Sequence, residues 1–595
     1  MPSKNLRQSS SNRRRLLVAG LLGPAACLTL AGAWEARRGL DVREHLQAAR
    51  DALERLPASA PHLMGEALAD ARRHAAEAHR LTAGPDWSLL THTPFLGDGA
   101  TAVRGLAGTA AELTDVLATV HQAGDGLVRP GGLSMREVPR LLGDLAVAAP
   151  KLEAAAARID RARQSLAATP AATGLSELDT ARASALRETD RLLGYLRAGA
   201  DAAALLPPML GHDGPRHYFL AFQTNAEARG TGGLVGAFGI LNAGRDGIGI
   251  TRLAANDALP KSSSAVADHG RAYRARYGPG ATRLLSVSNL SPHFPYAAAT
   301  WAGLWRRYSG QRLDGAIATD PIGLSRLLKL IGPVRLPSGE MVTAGNVVDL
   351  TEREAYARFD DPVRRKRYLI KIAGAVVDGL FQARPDPLEA MSVLSHVVEE
   401  RRIQVWSRHE AEERRLAATP LGGVLPSAPG PFAELVVNNS AGNKLDYYLG
   451  RSLEYRLGRC GGGWRASRVR VRLDNDVPRR RLPAYVTTRL DSPERRHAEG
   501  STLLWVSMYA SVGARLAEAR VDGERIEPIR EVERSHPVYS TVLEFAPGEA
   551  RTLDFTLLEP ASAAIPAVPV QPLVRPQRTT ILQDPAGCAA APPES

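Results

Sequence analysis

Three residues that handle anions and protons stand within five positions of one another in "FQTNAEARGTGGLVGAFG", residues 222–239. Asn225 is an amide, Glu227 a carboxylate and Arg229 a guanidinium, the natural bidentate partner of a phosphate. The apolar run at residues 218–222 reads as a strand, which places them at its C-terminal rim, where ligands bind in α/β folds. Gly232 and Gly233 follow, and residues without a Cβ let backbone N–H groups approach an anion closely. In this reading Glu227 or Asn225 holds a metal-bound water or takes a proton from an acceptor. The competing reading is a structural turn in which Glu227 and Arg229 pair with each other.

A second constellation is "YARFDDPVRRKRYL", residues 356–369. Arg358, Asp360, Asp361, Arg364, Arg365, Lys366 and Arg367 crowd a junction between two helices. Arg364 and Arg367 share a helix face and Arg365 points elsewhere. Guanidiniums converging beside a carboxylate suit a pyrophosphate and its metal, whereas the bland reading is a solvated helix start. A third segment, "VSNLSPHFPYAA", puts Asn289 after an apparent strand and His293 before Pro295; a lone histidine there reads first as packing. The sequence has no Ser-His-Asp signature, zinc-type ligand spacing or P-loop.

The elements that must carry these residues are legible as shifts of pattern along 595 residues. Residues 1–15 form a basic tail. Residues 16–34 contain no charge, enough for one membrane-spanning helix with the N-terminus cytoplasmic and the bulk outside. Ala31-Gly32-Ala33 also fits a signal-peptidase site, in which case the protein is secreted. Residues 35–206 show apolar positions at three-to-four spacing, an extracytoplasmic helical bundle or stalk that ends at Pro207-Pro208. Residues 212–385 alternate strand and helix patterns, including strands at "LVGAFGILN" and "RLLSVSNL", and predict an α/β or α+β domain. Residues 386–425 read as helical linker. Residues 430–562 switch to period-two alternation, the pattern of a β-sandwich. The Pro/Ala-rich tail at 563–595 reads as disordered or loosely docked. Cys460 and Cys588 are either free thiols or, in an exported protein, one disulfide tying the tail down.

Net charge is +12, and Lys4, Arg7, Arg13, Arg14 and Arg15 supply five of those charges, leaving +7 for the rest. That excess suits an anionic partner such as phospholipid or phosphorylated glycan. No basic run interleaved with aromatics or zinc-finger spacing points to nucleic acid.

The segments "QTNAEARGTGGLVGAFG", "NLSPHFPYAA", "DGAIATDPIGLSRLLKLIGPV", "VTAGNVVDL" and "NKLDYYL", in that order, resemble the domain-of-unknown-function family 4012, a group of bacterial membrane-anchored proteins. The family has two asparagines before Ala-Glu; this chain has Thr224-Asn225. A weaker resemblance, running from "YSGQRLDGAIATDPIGLSRLLKLIGPVRL" to "AYARFDDPVRRKRYL", is to the LytR-CpsA-Psr domain. Such enzymes move phosphorylated glycans from a polyprenyl-pyrophosphate carrier onto cell-wall acceptors. Their arginines clamp the pyrophosphate, and acidic residues hold magnesium or activate the acceptor. By this resemblance Arg358 matches the first arginine, Asp361 the acid, and Arg364 or Arg365 the next arginine. Lys366-Arg367 stands where Arg-Gln is expected, Asp360 replaces an arginine, and Gly332-Pro333-Val334 replaces Gly-Gly-Val.

The expectation is therefore a multidomain protein: an N-terminal transmembrane helix, an all-α stalk, a central LytR-CpsA-Psr-like domain and a C-terminal β-sandwich. Glu227 and Asp361 would be catalytic, with Asp361 on Mg2+. Asn225, Arg229, Gly232, Gly233, Asn289, Arg358, Arg364, Arg365 and Arg367 would bind the ligand. That ligand is a polyprenyl-pyrophosphate-linked glycan or related anionic cell-wall polymer, handled by a phosphotransferase or a binder. The alternative is a non-catalytic envelope scaffold or adhesion protein.

Overall fold

The computed structural model describes residues 33–54, 61–124, 138–245, 247–478, 481–585 and 587–588. The basic tail and all but the last two residues of the apolar run at 16–34 lie outside them. Among the described residues no helix is long and apolar enough to cross a membrane. The chain forms two compact units that divide in sequence at residues 213–214.

The first unit is helical: α1 Ala33–Glu54, α2 Pro61–Ala83, α3 Pro85–Leu90, α4 Gly97–Gly124, α5 Val138–Ala167 and α6 Ser176–Met209. Its cores are rich in alanine, with Ala49, Ala71, Ala75, Ala78 and Ala107 fully buried among Val42, Leu68 and Trp87. Small side chains at helical spacing let the helices approach closely. Pro207 and Pro208, expected to end the region, lie inside the final turn of α6. Each removes a bond to the carbonyl one turn back, and the helix ends immediately afterwards.

The second unit begins with β1 Arg216–Arg229, β2 Gly232–Gly244 and β3 Gly247–Ala255, an antiparallel meander. After α7 Gly270–Tyr277 and α8 Phe294–Ser309, β4 Gly315–Thr319 pairs parallel to β1. The predicted strand at "RLLSVSNL" instead holds a tight turn, Leu285–Val287, directly after another at Pro279–Thr282. The Ser288 hydroxyl donates back to the Leu285 carbonyl and accepts from Trp301 Nε1 at 2.7 Å, a local bond that competes with strand pairing. α9 Pro321–Ile331 and the hairpin β5 Val334–Arg335 with β6 Met341–Val342 follow. The chain then runs through α10 Val347–Asp349, a π-helical turn Leu350–Glu354 and α11 Ala355–Arg358 into α12 Pro362–Gln382.

The stretch read as helical linker holds α13 Pro387–Glu399, β7 Ile403–Ser407 and α14 Glu410–Ala417. β7 pairs antiparallel with β4 and completes a five-stranded sheet in the order β3-β2-β1-β4-β7. One face of this sheet packs Phe219, Phe238 and Ile240 against Phe294, Trp301 and Trp305 of α8. The other packs Leu220, Phe222 and Ala237 against Ala373 and Val377 of α12. Burial on both faces explains the nearly continuous apolar run in β1.

Two further sheets pack over a common core of Leu435, Val437, Leu453, Tyr455, Val469, Val471, Val506 and Phe555. One is β14-β15-β11-β8, built from β8 Ala433–Asn439, β11 Thr502–Ala510, β14 Ile529–Glu533 and β15 His536–Phe545. The other is β13-β12-β16-β10-β9-β17, built from β9 Leu449–Gly461, β10 Trp464–Asn475, β12 Arg515–Val521, β13 Glu524–Ile526, β16 Ala550–Pro560 and β17 Arg578–Gln583. β17 comes from the tail expected to be loose and pairs parallel with β9. Cys460 and Cys588 are bonded, their Cα atoms 5.1 Å apart, just beyond the end of that pairing.

Candidate functional site

β1 does not stop where the sequence suggests. It runs to Arg229, but the register with β2 jumps from Thr224–Leu234 to Ala228–Gly233. Asn225, Ala226 and Glu227 therefore stand out of the ladder as a wide bulge, the device that re-aims side chains within a sheet. All three are buried.

The bulge is held by groups from far along the chain. Glu227 Oε1 accepts from Arg229 Nη2 at 2.6 Å, and its other oxygen takes Lys444 Nζ. Arg229 Nη1 also donates to the carbonyls of Ala228 at 2.8 Å and Asn439 at 3.2 Å, and Nε to that of Ser286. Asp446 accepts from the Ala228 N–H at 2.7 Å and from Asn439 Nδ2 at 2.8 Å. Asn289 Nδ2 bonds Gln223, Thr231 and the Gly233 carbonyl within 3.1 Å. Asn225 Nδ2 donates to the Pro572 carbonyl at 2.8 Å, and Gln571 Nε2 to that of Arg229 at 2.7 Å. Burial pushes Arg229 down to about 10 and Lys444 to about 8, and raises the Asp446 carboxyl to about 6. Both cations keep their charge near neutrality and neutralise the carboxylates they touch.

Residues 223–233, Asn289 and residues 444–446 thus meet in one buried knot where the five-stranded sheet, β8 and the C-terminal tail come together. Its glycines admit protein rather than ligand. A Cβ on Gly233 would lie 2.1 Å from the Thr224 carbonyl, and one on Gly232 would lie 3.1 Å from that of Pro572. Gly232 also has φ +134°. His293 is buried and accepts the Leu425 N–H at 3.1 Å on Nδ1, and burial drives its pKa down to about 2.

The α11–α12 junction is built differently. Arg358 pairs with Glu340 at 2.6 Å and with Glu354. Asp361 caps α12, accepting the Val363 N–H at 2.9 Å. Arg364 is exposed, 3.8 Å from Asp361, and Arg367 is exposed without a partner among the described residues. Arg365 is buried, with Nη1 on the Phe359 carbonyl and its guanidinium 3.7 Å over the Tyr485 ring. Arg358 and Arg364 face different acids, and neither they nor Arg367 meet Arg229 in the hydrogen bonds and ion pairs of the described residues. Among the described residues no three His, Cys, Asp or Glu side chains gather as ligands.

What the structure opens instead is a cleft between the sheet, α9 and α12, with a cavity volume of about 70 Å³. Phe222, Ala237, Leu324, Leu369, Ile370 and Ala373 make most of its wall. Its polar end holds Thr224, Asp320 and Glu352, with Lys366 on the wall. Asp320 caps α9 through the Gly323 N–H and pairs with buried Arg402 at 2.8 Å. Glu352 sits in the π-helical turn, a feature frequent at functional sites. It accepts Thr224 Oγ1 at 2.8 Å and the N–H groups of Ala226 at 2.7 Å and Asn225 at 3.3 Å. Burial outweighs these bonds and raises its carboxyl to about 7. Lys366 reaches Asp257 at 2.6 Å, joining α12 to the segment that follows β3. Glu352 could not be read from the sequence, because it lies in an ordinary helical pattern 125 positions from the bulge it supports. Its nearest signal was "VTAGNVVDL", the family segment directly before it.

Residues 213–356 match the family model DUF4012, a protein of unknown function. The matched DUF4012 segment contains β1 to β6, the bulge, Asn289, Asp320 and Glu352, and ends at Tyr356, before α12. Lys444 and Asp446, which complete the knot, lie beyond it. No curated protein and no solved structure matches the chain.

Proposed function

We propose that this is a membrane-anchored, envelope-facing binding protein whose cleft receives the apolar chain of an amphiphile. The polyprenyl carrier of a pyrophosphate-linked glycan is the expected member of that class. The observation that carries this reading is the lining: mostly apolar side chains, among them Phe222, Leu324, Leu369 and Ile370, with Thr224 and Glu352 bonded to each other beside them. Lys366 is the cation on that wall, while Arg229, Arg358 and Arg365 are engaged by protein groups. The reading therefore rests on the chain and not on a phosphate clamp. In this account the run at 16–34 is the anchor that keeps the cleft near its lipid.

A LytR-CpsA-Psr-like transfer reaction is the second reading, and one observation favours it. Glu352, with its carboxyl raised to about 7 at the polar end, is poised as a general base for an acceptor hydroxyl. The deprotonated oxygen would attack the glycan-bearing phosphorus, and polyprenyl phosphate would leave.

Calorimetric titration of residues 33–595 with farnesyl pyrophosphate, farnesol and inorganic pyrophosphate tests the binding reading. The expected result is binding of the first two, unchanged by magnesium, and none of the third. Binding of inorganic pyrophosphate alone would overturn it. Release of polyprenyl phosphate in the presence of a sugar acceptor, lost in Glu352→Gln, would promote the second reading.

A further inference from the structure

The excursion between β10 and β11, residues 476–501, belongs to neither sheet of the sandwich and carries six arginines against four carboxylates. It holds one helical turn, Ala484–Thr487, and is otherwise irregular; connections of this length are usually functional. Its described part borders a concavity of about 380 Å³, separate from the apolar cleft. Arg481, Arg489, Arg495, His497, Glu499 and Thr487 stand on its wall.

These groups differ in how they are occupied. Arg489 is buried and holds both oxygens of Asp491 at 2.6 and 2.7 Å, with Glu544 at 2.9 Å. His497 is bonded to Ser492 Oγ at 2.8 Å. Arg481, Arg495 and Glu499 are exposed and, among the described residues, have no side-chain partner. The frame beneath them is fixed. The Lys444 N–H donates to the Val486 carbonyl at 2.9 Å and the Leu490 N–H to that of Ala441 at 2.7 Å. Tyr485 stacks on Tyr356 and lies under Arg365, which ties the excursion to α11 and α12.

We propose that this concavity binds an acidic oligosaccharide, a sugar chain that bears carboxylates. Two unengaged guanidiniums on one wall match the planar, two-oxygen geometry of a carboxylate. Glu499 and the hydroxyl of Thr487 supply what the sugar hydroxyls need, an acceptor and a donor-acceptor. The site goes beyond the apolar cleft and shares no lining residue with it.

The test is calorimetric titration of the full chain with oligogalacturonate, a neutral dextran oligomer of equal length, and poly(glycerol phosphate), at low and high salt. Oligogalacturonate should bind, more weakly at high salt, and dextran should not. The double variant Arg481→Ala/Arg495→Ala should lose about tenfold or more in affinity at an unchanged melting temperature, because neither side chain touches the fold. Arg481→Lys/Arg495→Lys should keep the salt dependence with intermediate affinity. Farnesol binding should be the same in parent and both variants, which separates failure here from failure of the cleft. Equal binding of dextran, preference for poly(glycerol phosphate), no binding by the parent, or parental affinity in the alanine variant would each overturn the proposal.

Discussion

Glu227 and Arg229 form an ion pair with both side chains almost wholly shielded from water. Removing one partner of such a pair leaves an uncompensated buried charge, at a cost of ~3–5 kcal/mol. Arg229→Ala is therefore expected to lower the melting temperature sharply, and any loss of ligand affinity should follow the loss of folded protein, which parallel thermal melts and titrations will show. Glu352 makes a different prediction. Its carboxyl sits at about 7 in the native state, above the ordinary carboxylate range, so the folded chain holds this proton more tightly than the unfolded one. The stability it contributes is complete below about pH 4.5 and is lost as pH rises through about 7. Against the parent, Glu352→Gln should be relatively more stable at pH 8 than at pH 5; an equal difference at the two pH values would refute the assignment. The residue types of the knot were legible, as was the possibility that Glu227 and Arg229 serve each other. Their partners were not, because Lys444, Asp446 and Pro572 lie more than 200 positions away. A wide bulge also leaves no mark in an apolar strand pattern.

The tail is the element whose role is furthest from its composition. Gln571 is buried; its Oε1 accepts the Val437 N–H at 2.9 Å, and its Nε2 donates to the carbonyls of Val437 and Arg229. Gln571→Ala strands three buried backbone groups, each costing roughly 1–3 kcal/mol, so a large fall in the denaturant midpoint is expected. Beyond it, β17 is held by pairing with β9 and by the Cys460–Cys588 bond. Reduction should lower the melting temperature, within the usual ~2–4 kcal/mol for a disulfide, and should speed hydrogen exchange first along β17. Proline-rich sequence hid this strand because its pairing is parallel and more than 120 positions distant. β7 was hidden by its length of five residues between two helical patterns. The long helices, β2 and the period-two strands of the sandwich were readable because each repeats its own pattern long enough to be recognised.

At the scale of the molecule, the central sheet and the sandwich make one folding unit. The knot joins them on one side. On another, Arg276 and Tyr277 of α7 reach Ser507, Ser540 and Glu533 of the four-stranded sheet. A chain cut after residue 425 would leave Glu227 without Lys444, Arg229 without the Asn439 carbonyl, and Arg276 without Ser507 and Ser540. Residues 214–595 should therefore unfold in a single transition and residues 214–425 should fail to fold, as calorimetry and circular dichroism will report. The order of domains along the chain could be read from changes in periodicity, whereas their fusion into one unit rests on contacts that periodicity does not encode. The account's central claim is that the cleft between the sheet, α9 and α12 holds an apolar chain. Gly236 lines that cleft, and a Cβ there meets nothing closer than 3.6 Å, so Gly236→Ile fills the space without breaking the strand. The decisive measurement is the affinity of farnesol for the parent and for Gly236→Ile, with melting temperatures in parallel. The account predicts binding by the parent and its loss in a variant that remains folded. A folded variant that binds as the parent does, or a parent that does not bind, would contradict it.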